Sequence, residues 1–220
     1  MIKPRRLPFD RIARRYQTIN TLLSFGLDSL WRRQLIRSLN LSDGMTILDV
    51  GVGTGDLLAN LQKADLLKIG LDPEPEMMLL NPELQYHRLI AIGEAVPLPD
   101  CSVDRVISAF VLRNLTDRQT TFREMFRVLR PNGIGGILEM SPPDKGILGW
   151  GAVLYIKGVV PVVGTAISGD RSAYKYLSSS VIAFPSPTDI ADELRSTGLT
   201  NVTHMRLSGG VTVLYTFKKA

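Results

Sequence analysis

The chain has one cysteine, Cys101, and two histidines in 220 residues. No disulfide can close within it, which suits a reducing compartment. So few soft ligands also argue against a metal centre, and none is expected. An apolar run fit to cross a bilayer is lacking too. The richest stretch, residues 147–168, carries Lys157 in its middle, together with Pro161 and four glycines. A span needs about 20 predominantly apolar residues. This stretch is therefore expected to form a lid or groove wall, or a surface that touches a membrane. The early charges are not followed by an apolar core of secretory-leader length. A cytoplasmic protein, peripheral at the inner face of the membrane, is the expectation. Internal repeats and low-complexity linkers are absent. At this length one well-cored domain over 1–220 is expected, with a helical segment over 1–40 and a substrate-side cap or lid insertion over 145–180.

Charge is unevenly placed. The formal net charge is +5, yet residues 1–40 hold nine Lys/Arg against Asp10 and Asp28, making that segment +7 and the rest −2. A basic end attracts anionic lipid, nucleic acid or an acidic partner, and a solvated helix face is the competing explanation. In this segment Ile12, Tyr16, Ile19, Leu23 and Leu27 keep roughly helical spacing.

Strand-like and helix-like segments alternate in the middle of the chain, which predicts a sheet flanked by helices. Strands are predicted over 46–50, 67–71, 86–92, 103–112 and 134–140. Phe122, Met125, Phe126 and Leu129 fall at i, i+3, i+4 and i+7, one helical stripe, which Pro131-Asn132-Gly133 is expected to stop. A helix over 186–197 has Ser186 as its N-cap. Strands over 202–207 and 211–217 are joined by Ser208-Gly209-Gly210, a connection short enough to favour an antiparallel pair. The fold class expected is α/β: a Rossmann-like sheet, mostly parallel, ending in an antiparallel C-terminal hairpin, with helices on both faces.

Asp49-Val50-Gly51-Val52-Gly53-Thr54-Gly55 joins a predicted strand to a predicted helix. Glycines there let the backbone turn tightly and approach a ligand. The spacing is G-x-G-x-G rather than the dehydrogenase G-x-G-x-x-G. It suits a nucleoside with an amino-acid tail, such as S-adenosylmethionine, which has an ammonium in need of a carboxylate; Asp49 stands where one helps. The alternative is an ordinary glycine-rich turn. Asp72 ends the second strand before Pro73, where an acid can take both ribose hydroxyls, or simply serve the turn. Ile92-Gly93 begins a loop suited to pass under an adenine, and Ala109 closes the fourth strand. Ligands of open α/β sheets bind at the carboxyl ends of strands, so Arg113 and Asn114 are placed to face a substrate. The alternatives are an acid partner for Arg113 and a helix cap for Asn114.

These residues resemble the class I methyltransferases and, more narrowly, the menaquinone/ubiquinone-biosynthesis C-methyltransferase family. The resemblance runs over about residues 9–217. It includes Phe9-Asp10-Arg11-Ile12-Ala13, Leu23-Ser24-Phe25-Gly26, Trp31-Arg32, Leu112-Arg113-Asn114, Leu138-Glu139-Met140-Ser141, and Tyr174-Lys175-Tyr176-Leu177. It implies S-adenosylmethionine as cofactor and C-methylation of a prenylated quinol, demethylmenaquinol first. A ubiquinone-type benzoquinol, another lipophilic acceptor, or an accessory role in a quinone-synthesis complex are the alternatives. It implies that Thr54, Asp72, Ile92, Gly93 and Ala109 line the cofactor, and that Arg113 and Asn114 face the quinol. The chain departs from the family pattern at Ile92, where Asn or Asp is usual, at Gln17 (Asp), at Asn132 (Gly) and at Tyr215 (His).

The chemistry expected is attack of a ring carbon, activated by an adjacent phenolate, on a sulfonium methyl. Arg113 would stabilise the phenolate, since its own pKa makes it a poor base. A water between Arg113 and Asn114 would relay the ring proton. Tyr16, Tyr174 and Tyr176 are further substrate contacts or packing residues. The partners expected are a lipophilic prenyl quinol, a membrane touched peripherally and a second copy of the chain as a homodimer. No nucleic acid is expected, because no base-flipping motif or RNA-binding module is present.

Overall fold

The computed structural model describes residues 24, 26–61, 65–142, 151, 153–168 and 171–220. Its strands are β1 (Thr46–Val50), β2 (Leu67–Asp72), β3 (His87–Ile90), β4 (Val103–Ala109), β5 (Leu129–Met140), β6 (Thr200–Leu207) and β7 (Thr212–Lys218). Around them lie α1 (Leu27–Ser38), α2 (Asp56–Ala59), α3 (Pro75–Met78), α4 (Arg118–Val128), α5 (Val160–Ser168), α6 (Arg171–Ile182) and α7 (Pro187–Ser196). The sheet runs β3-β2-β1-β4-β5-β7-β6. β1 pairs in parallel with β2 and β4, β2 with β3, and β4 with β5. β7 is antiparallel to both β5 and β6. It thus inserts between them, and β6 returns to the direction of the parallel strands.

Alternation along the strands feeds two cores, because successive side chains point to opposite faces. Leu48, Val106, Ile137, Val213 and Tyr215 join α4 and α7 on one face. Ile47, Ile107, Leu138 and Leu214 join α1 and α2 on the other. This is why the central strands are apolar almost throughout. α1 lies close to β5 because Gly136 has no side chain: a Cβ there would come within 2.3 Å of Leu35. Buried Arg105, on β4, donates to the carbonyls of Leu39 and Asn40 and so satisfies the carbonyl end of α1. Ser186 caps α7 in a reciprocal box with Asp189.

The structure departs from the sequence expectations at several ends. β4 stops at Ala109; Phe110 turns left-handed (φ 64) and a 3₁₀ turn follows over Leu112–Asn114. α4 ends at Val128, ahead of Pro131. Leu129 still donates its N–H to Met125, but its ψ of 135 sends the chain into β5. Pro131-Asn132-Gly133 therefore lies inside the strand run, where the register to β4 shifts. β3 is shorter than expected, His87–Ile90. Tyr16 and most of the 1–40 segment lie outside the described residues.

In the apolar insertion a π-helical turn, Tyr155–Val159, precedes α5. Pro161 lacks an N–H, and π turns accommodate such interruptions in a helix. The Ile156 carbonyl accepts from Ser178 Oγ at 2.7 Å, tying the turn to α6. A Cβ on Gly164 would come within 2.3 Å of the Tyr174 ring, so α5 and α6 pack closely through that glycine. Among the described residues, no helix is long and apolar enough to cross a membrane.

Candidate active site

The β1–α2 turn is built from left-handed backbone. Gly51, Gly53 and Gly55 have φ of 77, 52 and 82, values that only glycine adopts freely. At Gly51 a Cβ would also lie 2.4 Å from Val111. The turn is tied to β2: Gly51 and Val52 N–H both donate to the Leu71 carbonyl, at 2.7 and 3.0 Å. Asp72 fixes it further. Its Oδ2 accepts from Gly53 N–H at 2.8 Å and its Oδ1 from Glu74 N–H at 2.9 Å. Burial raises the Asp72 pKa, while these two backbone bonds oppose the shift.

Asp49 is 1% exposed, and its Oδ2 has no hydrogen-bond partner. Burial pushes its pKa up to about 8; Arg32 opposes that, and Asp72 and Asp56 add to it. An unpartnered buried carboxylate is costly, and a cation placed against it would relieve the cost.

Three cavities adjoin at the carboxyl ends of β1, β2 and β4. The first is lined by Asp49, Gly51, Gly53, Thr54, Asp72, Ala109, Asn114, Arg32 and Phe110. The second is lined by Pro73, Ile92, Gly93 and Glu94, and shares Gly51, Asp72, Glu74, Val111 and Asn114 with the first. Gly93 is tightly seated, since a Cβ there would meet Thr121 at 3.0 Å and Val50 at 3.1 Å. Glu94 does not float in this cavity: its Oε1 accepts from Thr116 and Asp117 N–H. The third cavity is an apolar groove of about 750 Å³, counting its open mouth. Trp31, Phe110, Met140, Ile156, Val160, Leu177 and Val181 make most of its wall; Asp28, Arg32, Arg113 and Tyr155 are its ionisable groups.

Arg32 and Phe110 border both the first cavity and the groove. The Arg32 guanidinium lies 5.5 Å from the Phe110 ring centre, and the Trp31 ring lies 6.2 Å from it. These side chains form the partition between a polar chamber and an apolar one.

Arg113 lines the groove and pairs with Glu139 of β5. The two side chains are 3% and 0% exposed, and Glu139 Oε2 also accepts from Arg113 N–H at 3.2 Å. Asn114 does not stand beside it. It borders the first two cavities, and its Oδ1 accepts from Tyr176 Oη at 3.3 Å. The acid partner for Arg113 is thus present, and Arg113 and Asn114 face different chambers. Tyr174 is buried against Gly164 and is not among the groove's lining residues. Gly55 stands behind the cavities, where a Cβ would meet Leu84 at 2.5 Å. Tyr215 is in the core, 1% exposed; burial first, and the Glu139 carboxylate second, raise its pKa, so it stays neutral. Among the described residues, no cluster of His, Cys, Asp and Glu is arranged to hold a metal ion.

Sequence reasoning missed Glu139, Arg32, Phe110 and Asp28 as site residues. Glu139 had a signal, an acid inside an apolar strand. Arg32 entered only as charge and within the Trp31-Arg32 block of the family resemblance, and Phe110 looked like one more strand residue.

Comparison with known proteins follows the same lines. A sequence model of the ubiE/COQ5 methyltransferase family matches residues 6–219. The chain is 37% identical over 222 residues to the ubiquinone/menaquinone biosynthesis C-methyltransferase UbiE of Geotalea uraniireducens, covering 96% of this chain and 94% of the relative. It is 35% identical over 214 residues to the demethylmenaquinone methyltransferase of Roseiflexus castenholzii, covering 94% and 90%. In fold it is similar to a SAM-dependent methyltransferase from Thermotoga maritima, described as a possible histamine N-methyltransferase, with a TM-score of 0.68 at 20% identity over 96% of this chain and 98% of that one.

Proposed function

The chain belongs to the ubiE/COQ5 methyltransferase family, and on that premise we propose that it transfers a methyl group from S-adenosylmethionine to a ring carbon of a prenylated quinol, demethylmenaquinol first. The observation that carries this reading is the partition. A polar chamber with a cofactor's donors and acceptors and an apolar groove meet across Arg32 and Phe110. A methyl donor and a lipophilic acceptor need such neighbouring but unlike chambers.

The residues fit the cofactor. Asp49 has a buried unpartnered oxygen suited to an ammonium. Asp72 is held rigidly by two backbone N–H groups with lone pairs left for ribose hydroxyls. Ile92 and Gly93 give an apolar bed for an adenine. Bound there, the group supplies an electrophilic methyl on a sulfonium.

On the acceptor side, Arg113 offers guanidinium N–H groups to a phenolate oxygen from a fixed position, because Glu139 holds both its backbone and its side chain. Restoring aromaticity requires a proton acceptor. Among the described groove-lining residues Asp28 is the one carboxylate, and it accepts from Ser24 Oγ at 3.1 Å. We assign it the ring proton, directly or through a water. The apolar wall receives the first isoprene units. Exposed Leu154 and Val162, 70% and 68% accessible on the helical segment beside that wall, support a peripheral contact with the membrane that carries such a substrate.

The test pairs calorimetric titration of S-adenosylhomocysteine with transfer of labelled methyl to short-chain demethylmenaquinol and to the matching benzoquinol. Saturable binding that Asp72→Ala weakens by tenfold or more, with methylation of the naphthoquinol, supports the reading. Methylation of the benzoquinol alone would move the substrate to the ubiquinone type, the other quinone named for the Geotalea relative. Binding without methylation of either would refute the acceptor assignment.

A further inference from the structure

We propose that Tyr155 hydrogen-bonds the second ring oxygen of the acceptor, the one beside the carbon that bears the prenyl tail, and that Ser178 positions it by locking the π turn on which it stands. The proposal rests on the quinol reading above and names what in the groove selects a ring with two para oxygens.

The backbone of this turn is short of donors. Val160 N–H donates to the Tyr155 carbonyl, five residues back. On an α-helix the same N–H would serve Ile156. In the π register the Ile156 carbonyl would look to residue 161, which is proline and has no N–H. Ile156 thus loses both backbone donors, at a buried position. The Ser178 hydroxyl of α6 supplies the missing bond at 2.7 Å. A buried carbonyl without a partner is costly, so Ser178 holds the turn in its π form.

That form decides which side chains reach the groove. Tyr155, Ile156 and Val160 all line it. On an α-helix five residues turn through about 500°, which would set Tyr155 and Val160 about 140° apart. Ile156 and Val160, four residues apart, would still share a face, and Tyr155 would point elsewhere. The i→i+5 closure brings all three onto one face. The π turn therefore adds one hydroxyl to a wall that is otherwise apolar.

A quinol presents oxygens at opposite ends of its ring. Arg113 takes the one beside the carbon that receives the methyl. The other needs a partner of its own, since a buried hydroxyl without one is penalised. Among the described groove-lining residues the other polar side chains are engaged. The Ser24 hydroxyl donates to Asp28, which has the ring proton; Ser178 holds Ile156; and the Arg32 guanidinium rests over the Phe110 ring. Tyr155 enters from the cap rather than from the sheet end that carries Arg113. Burial raises its pKa above the ordinary 10.0, so near neutral pH the hydroxyl keeps its proton and can both donate and accept. The tail-bearing carbon adjoins this second oxygen. The tail then starts beside Ile156 and Val160, the apolar residues of the same turn.

The experiment measures transfer of labelled methyl by the purified full chain to short-chain demethylmenaquinol, and inhibition of that transfer by a naphthol with the same tail. The naphthol keeps the hydroxyl beside the methylated carbon and lacks the one beside the tail. Variants are Tyr155→Phe, Ser178→Ala, Ser178→Thr and the double variant Tyr155→Phe/Ser178→Ala, each checked by near-ultraviolet circular dichroism. In the wild type the quinol KM is expected about fivefold below the inhibition constant of the naphthol, the worth of one hydrogen bond. Tyr155→Phe should raise the quinol KM about fivefold while kcat and the naphthol constant stay within about twofold. Ser178→Ala should raise the quinol KM without moving the naphthol constant, and Ser178→Thr should recover it. The double variant should lose no more than Tyr155→Phe alone, as residues acting as one unit do. Equal weakening of quinol and naphthol in Tyr155→Phe would assign Tyr155 to packing and overturn the proposal. So would an unchanged quinol KM, or a naphthol that inhibits neither wild type nor variant. Equal weakening of both acceptors in Ser178→Ala would overturn the positioning role of Ser178. Failure of the wild type to methylate the quinol would overturn the quinol reading and this assignment with it.

Discussion

Glu139 is fully buried beneath Arg113 and engages it twice, through the guanidinium and through the backbone N–H at 3.2 Å. The 3₁₀ turn that carries Arg113 to the groove is thereby pinned to the end of β5. Glu139 Oε1 further accepts from Met140 N–H at 2.8 Å. Removing one member of a buried pair leaves an uncompensated charge, which typically costs about 3–5 kcal/mol. Glu139→Gln is expected to lose stability on that scale in urea unfolding. The double variant Arg113→Met/Glu139→Met is expected to recover much of it. Arg113→Ala should lower the methylation rate about 10²-fold or more while changing S-adenosylhomocysteine affinity little. Comparable losses in rate and affinity would remove Arg113 from the acceptor side.

Asp49 carries the pH dependence. Its carboxyl has an ordinary value of 3.8 and is pushed to about 8 in the folded chain. Between those values the unfolded chain has released a proton that the folded chain keeps. The unfolded state then binds fewer protons, so the contribution of Asp49 makes stability fall as pH rises from about 4 to about 8. The ligand-free Asp49→Asn variant should show a flatter profile of Tm against pH over that window than the wild type. A wild-type profile with the same slope would contradict an acid held protonated by burial.

At Ile92 the side chain borders the second cavity without a hydrogen-bonding atom. Ile92→Asn would add a donor and an acceptor beside the bed proposed for the adenine. A hydrogen bond of this kind contributes about 1 kcal/mol, so S-adenosylhomocysteine should bind roughly fivefold more tightly. Weaker binding would mean that the bed is selected for its apolar surface.

Asp28 is assigned the ring proton. Asp28→Asn keeps the shape of the Ser24 contact and removes the proton acceptor. It should depress the methylation rate about 10²-fold and leave cofactor affinity unchanged. An unchanged methylation rate in the variant would assign the proton to another group.

Much of the site was legible because it is local. Asp49-Val50-Gly51-Val52-Gly53-Thr54-Gly55 writes its own conformation: the left-handed values at its three glycines are the reason glycine stands there. Asp72 before Pro73 ends its strand as expected, and Ser186 caps its helix as expected. The apolar strand runs predicted a buried, mostly parallel sheet, since only a strand covered on both faces needs no polar side.

What the sequence could not reveal depends on segments far apart in the chain. The insertion of β7 between β5 and β6 reflects pairing with β5, such as Ile137 opposite Tyr215, which a two-strand hairpin pattern does not encode. Glu139 meets Arg113 across 26 positions, and Arg32 meets Phe110 because α1 packs over the glycine gap at Gly136. Local residues determined the glycine turn, the acid that ends β2 and the parallel core, because backbone sterics and burial period act within a few residues. Tertiary packing decided which charge neutralises which: Arg113 received a buried acid, while Arg32 and Asp49 were kept apart across a cavity. Charge pairing depends on distance in space, and spacing along the chain does not report it.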